Sequence, residues 1–195
     1  MMRLPRRLAC GLSLGASLSG CAFLQPQPEQ TTYFVLAPLA QPVAPTSTRA
    51  VGIGPFLFPD YLERPQMARR KTPNQVRYAP DRYWAEPLEE NFARVLSENL
   101  GSLLGTERVI ILPVQRRLTL DVEVAIEILR FEPTHENEVV LVARWFIRDG
   151  HDRKFLGAHE SRIHEPLEAK TGNAWARAMS RATLRLSEEI AAEIP

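Results

Sequence analysis

Cysteine is nearly missing from this chain: two residues in 195, Cys10 and Cys21, both close to the N-terminus. From Ala22 onward no internal disulfide can form, so whatever folds there is held by packing alone. Charge of one sign is missing too, since 24 basic residues stand against 23 acids. That balance argues against nucleic acid or another polyanion as the main partner, because such binding needs a basic excess. Long hydrophobic runs are absent: Leu8 to Leu18, an apolar and small-residue stretch, has 11 residues, short of the ~20 a helix needs to cross a bilayer core. Motifs of chemistry are equally scarce. There is no Gly-x-Ser-x-Gly elbow and no Walker-type lysine loop, and Gly52-Ile53-Gly54-Pro55 lacks the third glycine of a dinucleotide loop. His159-Glu160 and His164-Glu165 lie five apart in a strand-like segment, which sends the histidines to opposite faces, unlike the i, i+4 helical pair of a zincin site. The sequence therefore predicts no enzyme, no catalytic residue, no metal site and no cofactor.

What the N-terminus does contain is ordered. Arg3, Arg6 and Arg7 form a basic start without an acid, Leu8 to Leu18 follows as an apolar core, and Leu18-Ser19-Gly20-Cys21 closes it. That sequence of parts reads as an export signal, and its last four residues resemble the lipobox of bacterial lipoproteins. The expectation is a signal peptide over 1–20, cleavage between Gly20 and Cys21, and lipid attachment at Cys21, with several acyl chains making a durable anchor. Loss of three arginines with the leader takes the 24 basic residues to 21 against 23 acids, a formal charge of −2. By resemblance to lipoproteins of Gram-negative type, Ala22 in place of Asp points to the outer membrane. Residues 21–30, with Gln25-Pro-Gln-Pro-Glu-Gln30, read as an extended, lipidated, flexible tether. Residues 31–195 are expected to form a single periplasmic domain.

Within that stretch, β-branched and aromatic residues mark strands near Thr31–Ala37 and Ala50–Gly54, and Thr72-Pro73-Asn74 separates strands at Met67–Arg70 and Gln75–Tyr78. The period then becomes helical: Leu88, Phe92, Val95, Leu96 and Leu100 recur at 3–4 residues, with Pro87 before them and Gly105 as a left-handed stop. Arg108–Leu112 is a short apolar strand. From Leu118 to Ile128 every second residue is aliphatic, with Asp121, Glu123 and Glu127 between, which predicts a strand with one wet face. Burying those six side chains is worth roughly 9–18 kcal/mol before conformational entropy is subtracted. Glu138–Arg148, the Asp149-Gly150 turn and Lys154–Ile163 extend this to an antiparallel meander. Trp175, Met179, Ala182, Leu186 and Ile190 mark a second helix. The expected class is α+β, a two-layer sandwich of a largely antiparallel sheet with two long amphipathic helices on one face.

Pro55–Gln66 fits neither class of element. It joins large apolar and aromatic side chains to three prolines, too rigid for a helix and too apolar for a solvated loop. A preorganised apolar loop loses little entropy on binding, so Phe56, Phe58, Tyr61, Leu62 and Arg64 are candidate partner contacts, together with Trp84, which sits among charged residues before the first helix; the alternative is a loop folded back on the core. Trp145 and Trp175 continue core-facing periods. Arg69-Arg70-Lys71 reads as a solvated basic edge.

Four phrases together resemble a known family: Thr32-Tyr-Phe-Val-Leu36 soon after the cysteine, Val51-Gly-Ile-Gly-Pro55, Phe58-Pro-Asp-Tyr-Leu-Glu-Arg-Pro-Gln66 and Asp81-Arg-Tyr-Trp-Ala-Glu-Pro-Leu88. They resemble the PqiC-like family, auxiliary lipoproteins of ABC-type transport systems. Where that family often has Trp directly after the Asp-Arg pair, this chain has Tyr83 and then Trp84. The resemblance implies an outer-membrane lipoprotein on the periplasmic face, working with an MCE-domain (PqiB-like) partner in intermembrane lipid transport, itself non-enzymatic and able to form a homo-oligomer. The competing expectation is a structural adaptor lipoprotein for outer-envelope assembly with no transport cargo.

Overall fold

The computed structural model describes residues 31–114 and 118–195; the signal, Cys21 and the tether fall outside the described residues. The elements are β1 (Thr32–Phe34), β2 (Val51–Leu57), a single 3-10 turn (Asp60–Leu62), β3 (Gln66–Thr72), β4 (Gln75–Trp84), α1 (Leu88–Leu104), β5 (Val109–Ile111), β6 (Val122–Pro133), β7 (Glu138–Asp149), β8 (Phe155–Pro166) and α2 (Gly172–Glu193). They build an α+β fold, as expected, with two mixed sheets: five strands in the order β5-β2-β6-β7-β8 and three in the order β1-β4-β3. The long ladders β6/β7 and β7/β8 are antiparallel. β2 runs parallel to both β5 and β6. A parallel pair needs a crossover of a dozen residues or more, and the β3–β4 hairpin with α1 supplies it between β2 and β5.

The alternation in β6 does what its period predicts. Val122, Val124, Ile126 and Ile128 are buried against the core that also holds Leu141, Trp145, Ile147 and Ile163. Leu118 departs from the expectation: it precedes the strand, which starts only at Val122, and its side chain is exposed. On the other sheet face Arg148 donates to Glu123 at 2.9 Å and Arg144 to Glu160 at 3.1 Å. Such half-exposed pairs contribute about 0–1 kcal/mol each, and their role is to keep that face wet.

α1 buries Leu88, Phe92, Val95, Leu96 and Leu100 and ends at Gly105, whose φ of +61° places it in the left-handed region. There its N–H reaches the carbonyls of Gly101 and Ser102, closing carbonyls that the helix leaves open. α2 begins at Thr171, whose hydroxyl accepts from the Ala174 N–H at 3.2 Å, an N-cap interaction. Its Ala178 and Ala182 are fully buried beside Met179, Leu186 and Ile190. Small side chains let α2 approach its neighbours closely. Between β1 and β2 the chain is an extended strap held against both helices by side chains. Asn91 Oδ1 accepts from Leu36 N at 2.6 Å, Asn99 Oδ1 from Leu39 N and Ala40 N at 3.0 and 3.1 Å, and Ser180 Oγ from Ala37 N at 3.1 Å. Thr46 N and Ser47 N then bond to Gly105 O, both at 2.9 Å, so the strap runs the length of α1.

Candidate partner-contact region

Pro55–Gln66 divides between core and surface. Phe56 and Leu62 are buried, and Phe58 and Tyr61 pack half-buried against the same core. The organising centre is Phe92 of α1: Phe56, Phe58 and Phe131 meet its ring edge-on at centroid distances of 6.0, 5.4 and 5.5 Å, the geometry that aromatic quadrupoles favour. Trp84 is buried in the same core, whereas Tyr83 is half-buried and tilts against Tyr33 at 5.9 Å. Arg64 lies over the Tyr78 ring at 5.0 Å. Of the six candidates, Phe58, Tyr61 and Arg64 therefore present surface, while Phe56, Leu62 and Trp84 shape the loop from within.

Below the loop sits a fully buried carboxylate that the sequence did not single out. Glu132 Oε1 accepts from Arg70 Nε at 2.6 Å and Arg130 Nε at 3.0 Å, and Oε2 from the Tyr61 hydroxyl at 2.6 Å and Phe131 N at 3.0 Å. A buried charge stands only with such complete pairing. Burial, reinforced by the Glu132 charge, holds the Tyr61 phenol well above its ordinary range, so it stays protonated and donating. Arg69 donates to Thr134 O at 3.1 and 3.2 Å and lies 5.7 Å from the Trp175 ring, with Arg82 at 4.6 Å. The expected solvated basic edge is thus corrected: Arg69 and Arg70 point inward to fix the β3–β4 hairpin on β6. The one available signal was the run itself, three cations with no acid nearby in sequence.

Beside the loop, Pro55, Phe56, Ala93, Ile111, Leu112 and Pro113 line an apolar cleft of about 290 Å³ whose rim carries Glu89 and Glu90. Partial burial and the neighbouring Glu63 and Glu90 carboxylates raise the Glu89 pKa above the usual carboxylate value. The histidines fall on opposite faces of β8: His159 stacks on the buried Trp145 at 4.2 Å, and His164 contacts Glu138 at 3.0 Å. Among the described residues no cluster of His, Cys, Asp and Glu is arranged to hold a metal ion, and no helix is long and apolar enough to cross a membrane. The region thus combines an aromatic loop, an apolar cleft and an acidic rim.

No curated protein matches the chain. Among solved structures its fold is similar to the crystal structure of an uncharacterized protein, at 17% identity and a TM-score of 0.71, covering 86% of this chain and 100% of that one. It is similar also to protein XCC0632 from Xanthomonas campestris, at 14% identity and 0.65, covering 82% of this chain and 92% of the other. At these identities the likeness speaks for the fold alone. The model of the ABC-type transport auxiliary lipoprotein component matches residues 34–191, from the end of β1 nearly to the end of α2. With most of its length matched, the chain belongs to the family of ABC-type transport auxiliary lipoproteins, membrane-anchored components of the envelope.

Proposed function

We propose that this chain is a non-enzymatic lipoprotein, anchored through lipid on Cys21 to the periplasmic face of the outer membrane, where residues 31–195 dock an MCE-domain partner of an ABC-type lipid transport system. The observation that carries the reading is the family match over residues 34–191. Leu18-Ser19-Gly20-Cys21 and Ala22 support the anchor and its membrane. The surface part of the loop, half-buried Phe58 and Tyr61 with exposed Arg64, supports docking, because aromatic and arginine side chains are the usual anchors of a protein interface. Photo-crosslinking residues at Phe58 and Arg64 in the intact envelope test it. The expected result is crosslinks to an MCE-domain protein from both positions and none from Ala158 on the charged sheet face. Crosslinks only between copies of this chain favour a homo-oligomer at this surface, and recovery of envelope-assembly proteins alone favours the adaptor role; either outcome defeats the docking reading.

A further inference from the structure

Thr31 to Thr48 holds no Asp, Glu, Lys, Arg or His, in a chain whose residues are 24% charged. This stretch is not core. Only Leu36 is buried, and Tyr33, Val35, Leu39 and Val43 are 64, 49, 39 and 55% exposed. It does not hang free either, because Asn91, Asn99 and Ser180 grip its amides over Leu36–Ala40. An exposed, uncharged, apolar edge held rigid by buried amides calls for an apolar neighbour. The position of the edge says which one. Thr31 lies ten positions after Cys21, a reach of at most about 35 Å fully extended.

Resting on the lipid-anchor reading above, we propose that β1 and the start of the strap, Thr31 to Ala40, are the membrane-apposed edge of the domain, with Tyr33, Val35 and Leu39 seated among the headgroups of the phospholipid surface that holds the lipid on Cys21. Tyrosine suits that depth, its ring apolar and its hydroxyl wet, and Tyr83 lies tilted beside Tyr33, widening the contact. An anionic headgroup surface repels acids, and the strap has none. Farther along, Glu98 and Glu107 line the same cleft as Val43, so the contact weakens toward that end.

The test uses the full-length lipidated protein in phosphatidylethanolamine/phosphatidylglycerol vesicles, with an environment-sensitive fluorophore on a single added cysteine: Val35→Cys, Leu39→Cys, Val43→Cys, or Ala158→Cys on the sheet face away from the helices. Spin-labelled headgroups should quench positions 35 and 39 several-fold more than 158, with 43 between. Exposed positions tolerate the change, and an unfolding midpoint equal to the parent's verifies it. Equal quenching at 35, 39 and 158 in a vesicle-bound protein overturns the inference alone; so does disulfide linkage of two copies through position 35 without quenching. A parent chain that takes up no labelled palmitate and stays off vesicles overturns the anchor reading and this inference with it.

Discussion

Glu132 answers for much of the loop's geometry. One side chain receives two arginines, a tyrosine hydroxyl and a main-chain amide, so β3, β6 and the 3-10 turn meet at a single carboxylate. Glu132→Ala removes the carboxylate that pairs two guanidinium groups, those of Arg70 and Arg130. Breaking a fully buried pair costs about 3–5 kcal/mol, and since the Arg70 side chain keeps 18% exposure, the lower end, about 3 kcal/mol by urea unfolding, is expected. Tyr61→Phe removes one donor and should cost about 1–2 kcal/mol. It also changes the pH profile. The Tyr61 pKa is raised above its ordinary 10.0 by burial and by Glu132, so the folded state holds this proton more tightly than the unfolded one. That contribution is whole below pH 10 and is lost as pH rises beyond it. The parent should lose stability above about pH 10 more steeply than Tyr61→Phe; superimposable profiles would show that the phenol is not linked to folding.

At the scale of elements the strap and the end of α1 depend on each other. Gly105 has φ +61°, and a Cβ there would lie 2.5 Å from Thr46 Oγ1. Gly105→Ala should therefore cost more than the roughly 1–2 kcal/mol of a left-handed alanine, and the Thr46 and Ser47 amides, both bonded to Gly105 O, should exchange faster with deuterium. If only global stability drops while those amides keep their protection, strap and helix end are not coupled. Asn91→Ala with Asn99→Ala makes the complementary test: the amides of Leu36, Leu39 and Ala40 lose their acceptors, so their protection should fall before that of β7. Much of this level was legible in the residues. The 3.6 period of α1 ends at Gly105 as its glycine implies, and the two-residue period of β6 and β7 names their core faces. What escaped was non-local. No short-range pattern tells β2 to lie parallel between β5 and β6. The irregularity between Ile128 and Arg130 switches the later residues of β6 to the other face, which is how Glu132 comes to meet Arg70 from a hairpin 62 residues away. Trp84 reads as a partner contact because charged residues surround it in sequence, yet at the end of β4 it is buried in the core.

At the scale of the whole molecule, the proposed anchor and the fold are separate. Thr31–Pro195 is one compact unit, and both cysteines lie outside it, so no covalent link contributes to the fold. Its stability is that of one apolar core shared by two sheets and two helices. Cys21→Ser should then leave the unfolding midpoint unchanged, because Cys21 lies before the first residue of that unit. Attachment should change completely. Each buried methylene of an acyl chain contributes about 0.8 kcal/mol, and two or more chains are needed for a lasting hold, so removing all of them leaves only the strap's few apolar side chains to touch the membrane. The expected result is a protein that moves from the membrane fraction to the soluble one and takes up no labelled palmitate, with the circular-dichroism melt of the parent. Retention of Cys21→Ser in the membrane with full palmitate labelling would mean that the anchor lies elsewhere. A lowered midpoint would mean instead that residues before Thr31 belong to the fold, and that lipid and core are one structural system rather than two.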